Sequence, residues 1–202
     1  MKVTSIKQQI KNPQRVSIFV DGKYSFSLSL DELVTHKLKN DIELSTTDVK
    51  KFKKISADGK LRARALEWLL NRPHSIREFR DYLFRKKAEP EMSDTLMREF
   101  SDKGHLDEQK FAQWLIDLLK RRGKSNRAIR AELYKKGISR ELANQAMANE
   151  EEDEDNRLKA IIDKKRKLPR YQKDSQKLAQ YLVQQGFSWQ DVKTALEINH
   201  PE

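Results

Sequence analysis

Histidine, cysteine and glycine are the residues from which a metal site or a phosphate-binding loop would be built, and this chain of 202 residues uses them sparingly. It has no cysteine, and its six glycines form no phosphate-cradling loop. The histidines lie far apart, and none has a second ligand at the spacing of a metal site. They are His36, His74, His105 and His200. We therefore predict no metal ion and no cofactor.

Two short motifs resemble fragments of catalytic sites. Asp21-Gly22-Lys23 and Asp58-Gly59-Lys60 match the Asp-x-Lys half of some nuclease sites. The first lies in a predicted hairpin turn and the second precedes a predicted helix, so neither context favours catalysis. Ser139 and Ser188 suit helix caps better than nucleophiles. The sequence predicts no catalytic residue and no enzymatic activity.

The charge balance indicates a polyanionic partner. Lysine and arginine number 42 against 31 aspartates and glutamates, which gives a formal net charge of +11. Nucleic acid is the usual partner of so basic a protein. No apolar run approaches the roughly 20 residues of a membrane span, and the first residues lack the apolar core of a signal peptide. We expect a soluble, cytoplasmic monomer that does not associate with membranes.

The basic residues are spread along successive helices rather than gathered on one reading helix. This distribution predicts contacts with phosphates that do not discriminate between bases and that weaken with salt. The candidates for filament or nucleic-acid binding are Arg77, Arg80, Lys86, Arg121, Arg122, Lys124, Arg127, Arg130 and Lys135. A secondary basic patch comprises Lys164, Lys165, Arg166, Lys167 and Arg170.

Aromatic side chains could add stacking on exposed bases. Most fall on or near apolar helical stripes, so we expect core packing for each, with Tyr171 the least obviously buried. The residues considered are Trp68, Tyr82, Trp114, Tyr134, Tyr171, Tyr181 and Trp189.

The basic and aromatic side chains are expected to lie on helices. One pattern recurs in the sequence: a helix, a glycine, an apolar residue, a serine and a second helix. Around Gly137-Ile138-Ser139, a helix over 125–136 is followed by one over 140–148, and Gly186-Phe187-Ser188 repeats the arrangement. Aligning Leu133 with Leu182 aligns both glycines and both serines without a gap. A looser copy covers 75–100, with Ser75 and Glu78 as a capping box and Ser93 opening its last helix. Such repeats are typical of arrays in which neighbours share burial.

The first residues follow a different pattern. Alternating apolar residues on both sides of Asp21-Gly22 predict a β-hairpin, and 2–10 could add a third strand. Short helices are predicted over 32–38 and over 47–55, the latter capped by Thr46 or Thr47.

The remaining sequence is predicted to be helical. Further helices are expected over 61–71, 94–102, 107–122, 157–167, 174–185 and 189–198, with an acidic run at 150–155 as a solvated turn. A composition of 37% hydrophobic and 36% charged residues favours several small cores over one large core. The sequence thus predicts a mainly α fold: three tandem three-helix, helix-turn-helix-like repeats in an elongated array, preceded by a small module containing a β-hairpin. The predicted boundaries are 1–57 for that module, then 58–104, 105–149 and 150–202 for the three repeats.

Several segments resemble the RecX family of bacterial recombination regulators. They are Gly104-His105-Leu106-Asp107-Glu108-Gln109-Lys110-Phe111-Ala112-Gln113-Trp114, then Gly123-Lys124, then Ile129-Arg130-Ala131-Glu132-Leu133-Tyr134-Lys135-Lys136-Gly137-Ile138, with Arg72-Pro73-His74-Ser75, Glu78 and Leu83 upstream. The family pattern has an aromatic residue at position 105, a second Asp at 108 and Leu at 79, where this chain has His, Glu and Phe.

The resemblance implies a regulator, mainly an inhibitor, of the RecA recombinase. Members of the family bind RecA and its filament on single-stranded DNA, block extension or promote disassembly, and so modulate recombination, DNA repair and the SOS response. Double-stranded DNA is a further candidate ligand. Two alternatives stay open at this point: a general nucleic-acid-binding protein that uses its helix-turn-helix-like modules independently, and an adaptor that contacts only proteins.

Overall fold

A computed structural model describes residues 1–148, 154–172 and 174–196. In these residues the fold is mainly helical, with three strands at the N-terminus. The chain divides into two compact units. The N-terminal unit comprises residues 1–71 and 83–98, and the C-terminal unit comprises 72–82 and the described residues from 99 onward.

A three-stranded antiparallel sheet opens the N-terminal unit. Its strands are β1 (Val3–Gln9), β2 (Asn12–Val20) and β3 (Lys23–Ser29), in that spatial order. Asp21 and Gly22 both have positive φ, 48° and 78°, as a two-residue hairpin turn requires, and Val20 pairs with Lys23 across it. The predicted hairpin and the third strand are both confirmed.

The alternation of the strands places one apolar face against helices. Ile18, Phe26 and Leu28 are almost fully buried, and the ring of Phe26 stacks on Phe52 with centroids 5.3 Å apart. Helix α1 (Leu30–Thr35) begins at Ser29, whose hydroxyl accepts from the main-chain N–H of Glu32 in a capping box. This core belongs to the N-terminal unit alone.

Helix α2 (Thr46–Leu70) corrects two predictions. The two helices expected over 47–55 and 61–71 are one continuous helix, and its N-cap is Ser45, paired with Asp48 in a capping box, rather than Thr46 or Thr47. Gly59 is helical, and a Cβ there would lie 3.1 Å from Glu32 Oε1 and 3.2 Å from a guanidinium nitrogen of Arg15. Glycine therefore provides space for neighbouring side chains instead of breaking the helix.

Nine further helices occupy the rest of the described chain. They are α3 (Ile76–Arg85), α4 (Pro90–Asp102), α5 (Glu108–Arg121), α6 (Asn126–Lys135), α7 (Arg140–Met147), α8 (Glu154–Arg166), α9 (Pro169–Gln172), α10 (Ser175–Gln184) and α11 (Trp189–Leu196). Helix α4 begins at Pro90, a residue suited to the first helical position, so Ser93 lies inside the helix and does not open it as predicted.

The helix ends confirm the predicted alignment of the repeats. The N–H of Ile138 donates to the carbonyl of Leu133 at 3.1 Å, and the N–H of Phe187 donates to the carbonyl of Leu182 at 3.3 Å. The same bond closes α3, from Ala88 to the carbonyl of Leu83, at 3.1 Å. The hydroxyls of Ser139 and Ser188 cap the next helices by accepting from main-chain N–H groups. The reversal that joins two helices therefore recurs along the chain with equivalent main-chain hydrogen bonds.

Two small apolar cores lie in the C-terminal unit. One is formed by α5, α6 and α7 around Phe111, Ile129 and Leu133, and the other by the last four helices around Leu178 and Leu182.

Two of the aromatic residues considered depart from the expected core packing, whereas Tyr171, the least obvious case, agrees with it. Tyr171 is buried, with its ring centroid 5.8 Å from that of Tyr181, because the short helix α9 turns it into the last core. Trp189 and Tyr134 are instead exposed, at 50% and 38%.

The boundaries drawn from the sequence stay a prediction. The boundary between 57 and 58 falls inside α2, and residues 58–104 are shared between the two units. Glu154 and Asp155 form the first turn of α8, whereas the rest of the acidic run, His200 and the predicted end of the last helix lie outside the described residues. None of the described helices is long and apolar enough to cross a membrane.

Candidate functional site

A cleft of about 580 Å³ lies in the C-terminal unit, on the second repeat. Helices α5 and α6 supply its apolar floor, and cationic side chains dominate its rim. The floor residues are Phe111, Trp114, Leu115, Leu118, Leu119, Ala128 and Ala131. The volume is in the range of pockets that bind ligands or peptide side chains.

Helical periodicity explains why an apolar surface remains accessible here. On α5, Leu115 and Leu119 point into the core, whereas Trp114 and Leu118 lie one step round the helix and are half-buried. On α6, the two alanines at positions 128 and 131 fall one turn apart on the same side. The exposed Ala131 leaves open the space that a larger side chain would fill, whereas Ala128 also lies against Gly186.

The rim carries five cations and two carboxylates. The cations are Arg72, Arg122, Lys124, Lys135 and Lys136, and the carboxylates are Glu78 and Glu132. Arg122 and Lys124 come from the reversal after α5, where Gly123 has φ of +75°, and the two adjacent lysines come from the end of α6. Cations at helix ends are also stabilised by the negative end of the helix dipole.

Glu78 organises one side of the rim. Its Oε2 accepts from Arg72 at 2.9 Å and lies 3.2 Å from His74 Nδ1, and its Oε1 accepts from Lys136 at 2.7 Å. Burial alone would raise the pKa of this carboxyl, but the hydrogen bonds and charges of Arg72 and Lys136 outweigh it and lower the pKa to about 2. Glu78 is therefore ionised at neutral pH and forms ion pairs with two rim cations, whose combined charge it offsets only in part.

The remaining rim cations are less engaged. Within the part of the chain that the structure describes, Arg122 and Lys124 have no carboxylate at ion-pair distance. Lys135 lies 3.8 Å from Glu132, a loose and largely exposed pair that contributes little. The open side of the cleft therefore has a positive surplus.

The structure brings three of the nine predicted binding residues into this cleft: Arg122, Lys124 and Lys135. Arg121, Arg127 and Arg130 lie on the same two helices outside its lining. Arg121 is bonded back to the carbonyl of Asp117 at 3.2 Å.

On α3, Arg77 and Arg80 are exposed, and the stem of Arg77 lies against Gly137. A Cβ at Gly137 would be 3.0 Å from Arg77 Cβ.

Lys86 belongs to a different surface. It lines a cleft of about 400 Å³ within the N-terminal unit, together with Lys54, Ala57, Asp58, Lys60, Leu61, Arg64, Lys87, Ala88 and Glu89. Lys86 follows the last residue of α3, and the other residues of this cleft belong to α2 and to the segment between α3 and α4.

Two members of the secondary basic patch contact aromatic rings within the protein. Lys165 Nζ lies 4.4 Å from the ring centroid of Tyr181, and the Arg170 guanidinium lies 5.2 Å from that of Tyr171. Lys164, Arg166 and Lys167 are exposed at and just beyond the end of α8.

Sequence reasoning missed Arg72, Lys136 and Leu118 as site residues, and it expected Trp114 to pack in the core. The guanidinium of Arg72 lies 4.8 Å from the ring centroid of Trp114, and the two residues are 42 positions apart in sequence. Only the run of adjacent lysines at the end of α6 was visible as a signal. Among the described residues, no group of three or more histidine, cysteine or acidic side chains could hold a metal ion.

Comparisons with known families match two segments of the chain. The N-terminal domain of regulatory protein RecX matches residues 1–45, and the second three-helix domain of RecX matches residues 107–147. The second segment contains α5, α6 and α7, and therefore most of the cleft floor.

Whole-chain relatives give the same result. The chain is 32% identical to "Regulatory protein RecX" of Listeria innocua, over 96% of this chain and 74% of that protein. It is 29% identical to the protein of the same name from Bacillus pumilus, over 96% of this chain and 76% of that protein.

Two solved structures are similar in fold. One, a "regulatory protein RecX", has a TM-score of 0.65 at 21% identity and covers 97% of this chain and 98% of that one. RecX from Lactobacillus salivarius has a TM-score of 0.57 at 20% identity, over 70% of this chain and 95% of that one.

Proposed function

The chain belongs to the RecX family of regulatory proteins, and we propose that it regulates the RecA recombinase, mainly as an inhibitor. The observation that carries the proposal is the similarity to regulatory protein RecX along 96% of the chain. The name of those relatives implies RecA as the regulated protein.

We propose that the protein binds RecA and its filament on single-stranded DNA, and that it blocks filament extension or promotes disassembly. The exposed cations on α3 and α6, with Arg122 and Lys124 between α5 and α6, support contacts with phosphates. They lie on several helices, so the binding should be tolerant of base sequence. By limiting the filament, the protein would modulate recombination, DNA repair and the SOS response.

The proposal also covers the oligomeric state of the protein, its location and its lack of catalytic activity. The protein would act as a monomer in the cytoplasm, where the recombinase meets DNA, and it would alter the ATP hydrolysis of RecA without catalysing a reaction itself. Double-stranded DNA is a second candidate ligand, because phosphate contacts of this kind do not distinguish the two forms strongly.

The test is the ATPase rate of the cognate recombinase on single-stranded DNA while this protein is titrated in. Its affinity for bare DNA is measured first, so that competition for the DNA lattice can be subtracted. A fall in rate well below one molecule per recombinase would support a filament regulator.

Other outcomes identify the alternatives. If the rate falls only when the lattice is saturated, the protein is a general DNA binder and the recombinase proposal is withdrawn. Regulation with no salt-dependent DNA binding would identify an adaptor that contacts only protein.

A further inference from the structure

We propose that the apolar floor of the cleft between α5 and α6 binds an amphipathic, acidic helix of a protein partner. The proposal rests on the proposed function, since the partner segment would belong to the regulated recombinase. The name of the family does not say which surface contacts the regulated protein, and the proposal identifies that surface as the cleft.

The chemistry of the floor disfavours a nucleobase. Apart from Phe111 and Trp114, the floor is aliphatic, built from leucines and alanines. Phe111 is fully buried in the core, and the ring of Trp114 already has the Arg72 guanidinium 4.8 Å from its centroid. Stacking of bases needs an accessible aromatic face, and in this cleft the Arg72 guanidinium already lies against the half-buried ring of Trp114. Aliphatic walls suit leucine-like side chains instead.

The rim selects the charge of the partner. The single carboxylate of Glu78 pairs with both Arg72 and Lys136, whereas Arg122 and Lys124 have no carboxylate at ion-pair distance within the described residues. The pairing of Lys135 with Glu132 is loose at 3.8 Å. Carboxylates flanking the apolar side chains of a partner would therefore meet cations at the end of α5 and at the end of α6.

The dimensions favour a helix over a single side chain. A cleft of about 580 Å³ with an apolar floor along two helices matches the mode in which an amphipathic helix inserts side chains at i, i+3, i+4 and i+7. The small, exposed Ala131 on α6 allows the backbone of such a helix to approach.

The first experiment measures direct binding by fluorescence anisotropy with the full chain. The probe is a fluorescein-labelled, end-capped peptide of about 16 residues with leucines on one helical face and glutamates elsewhere, long enough to form helix on binding. A peptide of the same composition, with the leucines distributed around the helix, is the matched control. We expect the amphipathic peptide to bind about tenfold more tightly or better. Equal affinity for the two peptides would overturn the proposal.

Variants then locate the binding. Ala131→Phe fills the cleft from an exposed position and should weaken peptide binding about tenfold, whereas Gln113→Phe places the same ring on an exposed part of α5 outside the cleft and should leave it unchanged. Arg122→Glu should weaken binding, and Arg140→Glu on α7, with the same charge change outside the lining, should have a smaller effect. Circular dichroism verifies that each variant is folded.

Nucleic acid is tested at the same surface. A single-stranded oligothymidine that displaces the peptide, and whose own binding is lost in Ala131→Phe, would show that the cleft binds DNA and would overturn the proposal. The recombinase ATPase assay separates the two proposals. If Ala131→Phe regulates as well as the unchanged protein, the cleft is not the partner site and the proposed function stands. If the unchanged protein has no effect on ATPase, the proposed function fails. The peptide-binding experiments alone then decide whether the cleft binds an amphipathic helix.

Discussion

Lys136 Nζ lies 2.7 Å from Oε1 of Glu78, a residue 58 positions earlier, and this contact joins the end of α6 to the start of α3 within the C-terminal unit. The alignment of the repeats shows that the contact has a counterpart one repeat later. Gln185 follows α10 as Lys136 follows α6, and its carbonyl accepts from the N–H of Ser125, the N-cap of α6, at 3.0 Å. In the second and third repeats, the residue that follows the helix before the glycine reversal therefore contacts the start of the corresponding helix of the preceding repeat.

Glu78→Gln should destabilise the C-terminal unit by about 2 to 3 kcal/mol at neutral pH, because it removes a carboxylate that is only 14% exposed and accepts from two cations. The matched control is Glu132→Gln in the same cleft, whose pair with Lys135 spans 3.8 Å and should cost less than about 0.5 kcal/mol. Urea unfolding measures both. Equal costs would show that the Glu78 network does not stabilise the unit.

The same carboxyl should produce a pH dependence. Its pKa is lowered in the folded state from 4.5 to about 2, so its stabilisation is complete above pH 4.5 and is lost as the pH falls towards 2. The stability of the unchanged protein should therefore fall by up to about 3 kcal/mol more than that of Glu78→Gln over this interval. Parallel curves for the two proteins would contradict the ionised network.

Gly186→Ala should be strongly destabilising, by about 2 to 4 kcal/mol. Gly186 has φ of +101°, and a Cβ there would lie 2.5 Å from Ser125 Oγ and 2.7 Å from Ala128 Cβ. Gly104→Ala is the control, because φ is +70° but no atom lies within 4 Å of the added Cβ, so only the conformational cost of about 1 kcal/mol remains. Thermal unfolding of both variants separates steric from conformational cost. Similar melting temperatures for the two variants would mean that the residues packed against Gly186 move aside easily.

Lys87→Gly should stabilise the protein by about 0.5 to 1 kcal/mol. Lys87 occupies the position that Gly137 and Gly186 occupy in the later repeats, and its φ is +55°. Glycine relieves this strain, although part of the gain is offset by the greater freedom of the unfolded chain. Arg85→Gly, in the last turn of α3, should instead destabilise by about 1 kcal/mol. Chemical denaturation measures the free energy of unfolding of both variants. A loss of stability in Lys87→Gly would show that the lysine side chain makes a stabilising contact.

Replacing Arg121, Arg122 and Lys124 by alanine should weaken single-stranded DNA binding and flatten its dependence on salt. Each phosphate contact contributes about 0.7 to the slope of log affinity against log salt on single strands, so three lost contacts reduce it by about 2. Alanine at the exposed Lys50, Lys51 and Lys53 of α2 removes the same charge elsewhere. Anisotropy titrations at several salt concentrations compare the two. If both triple variants behave alike, net charge rather than this surface determines binding.

Local features were determined by the sequence itself. Asp21-Gly22 requires a tight hairpin because both residues adopt positive φ, and Ser139 and Ser188 cap helices because a hydroxyl beside free N–H groups accepts from them. The equivalence of Leu133 and Leu182 could also be predicted, since spacing within a helical repeat is a property of the chain. These features depend on interactions between residues a few positions apart.

Only the tertiary structure decided what depends on distant partners. Gly59 lies inside α2 where Arg15 and Glu32 approach so closely that a Cβ would crowd them, and Tyr171 is buried because α9 turns it into the last core. The cleft likewise combines Arg72 with α5 and α6, through a guanidinium placed over Trp114 and a carboxylate shared with Lys136. Periodicity indicates which face of a helix is apolar, but how much of that face stays open is set by the size and position of side chains on other elements.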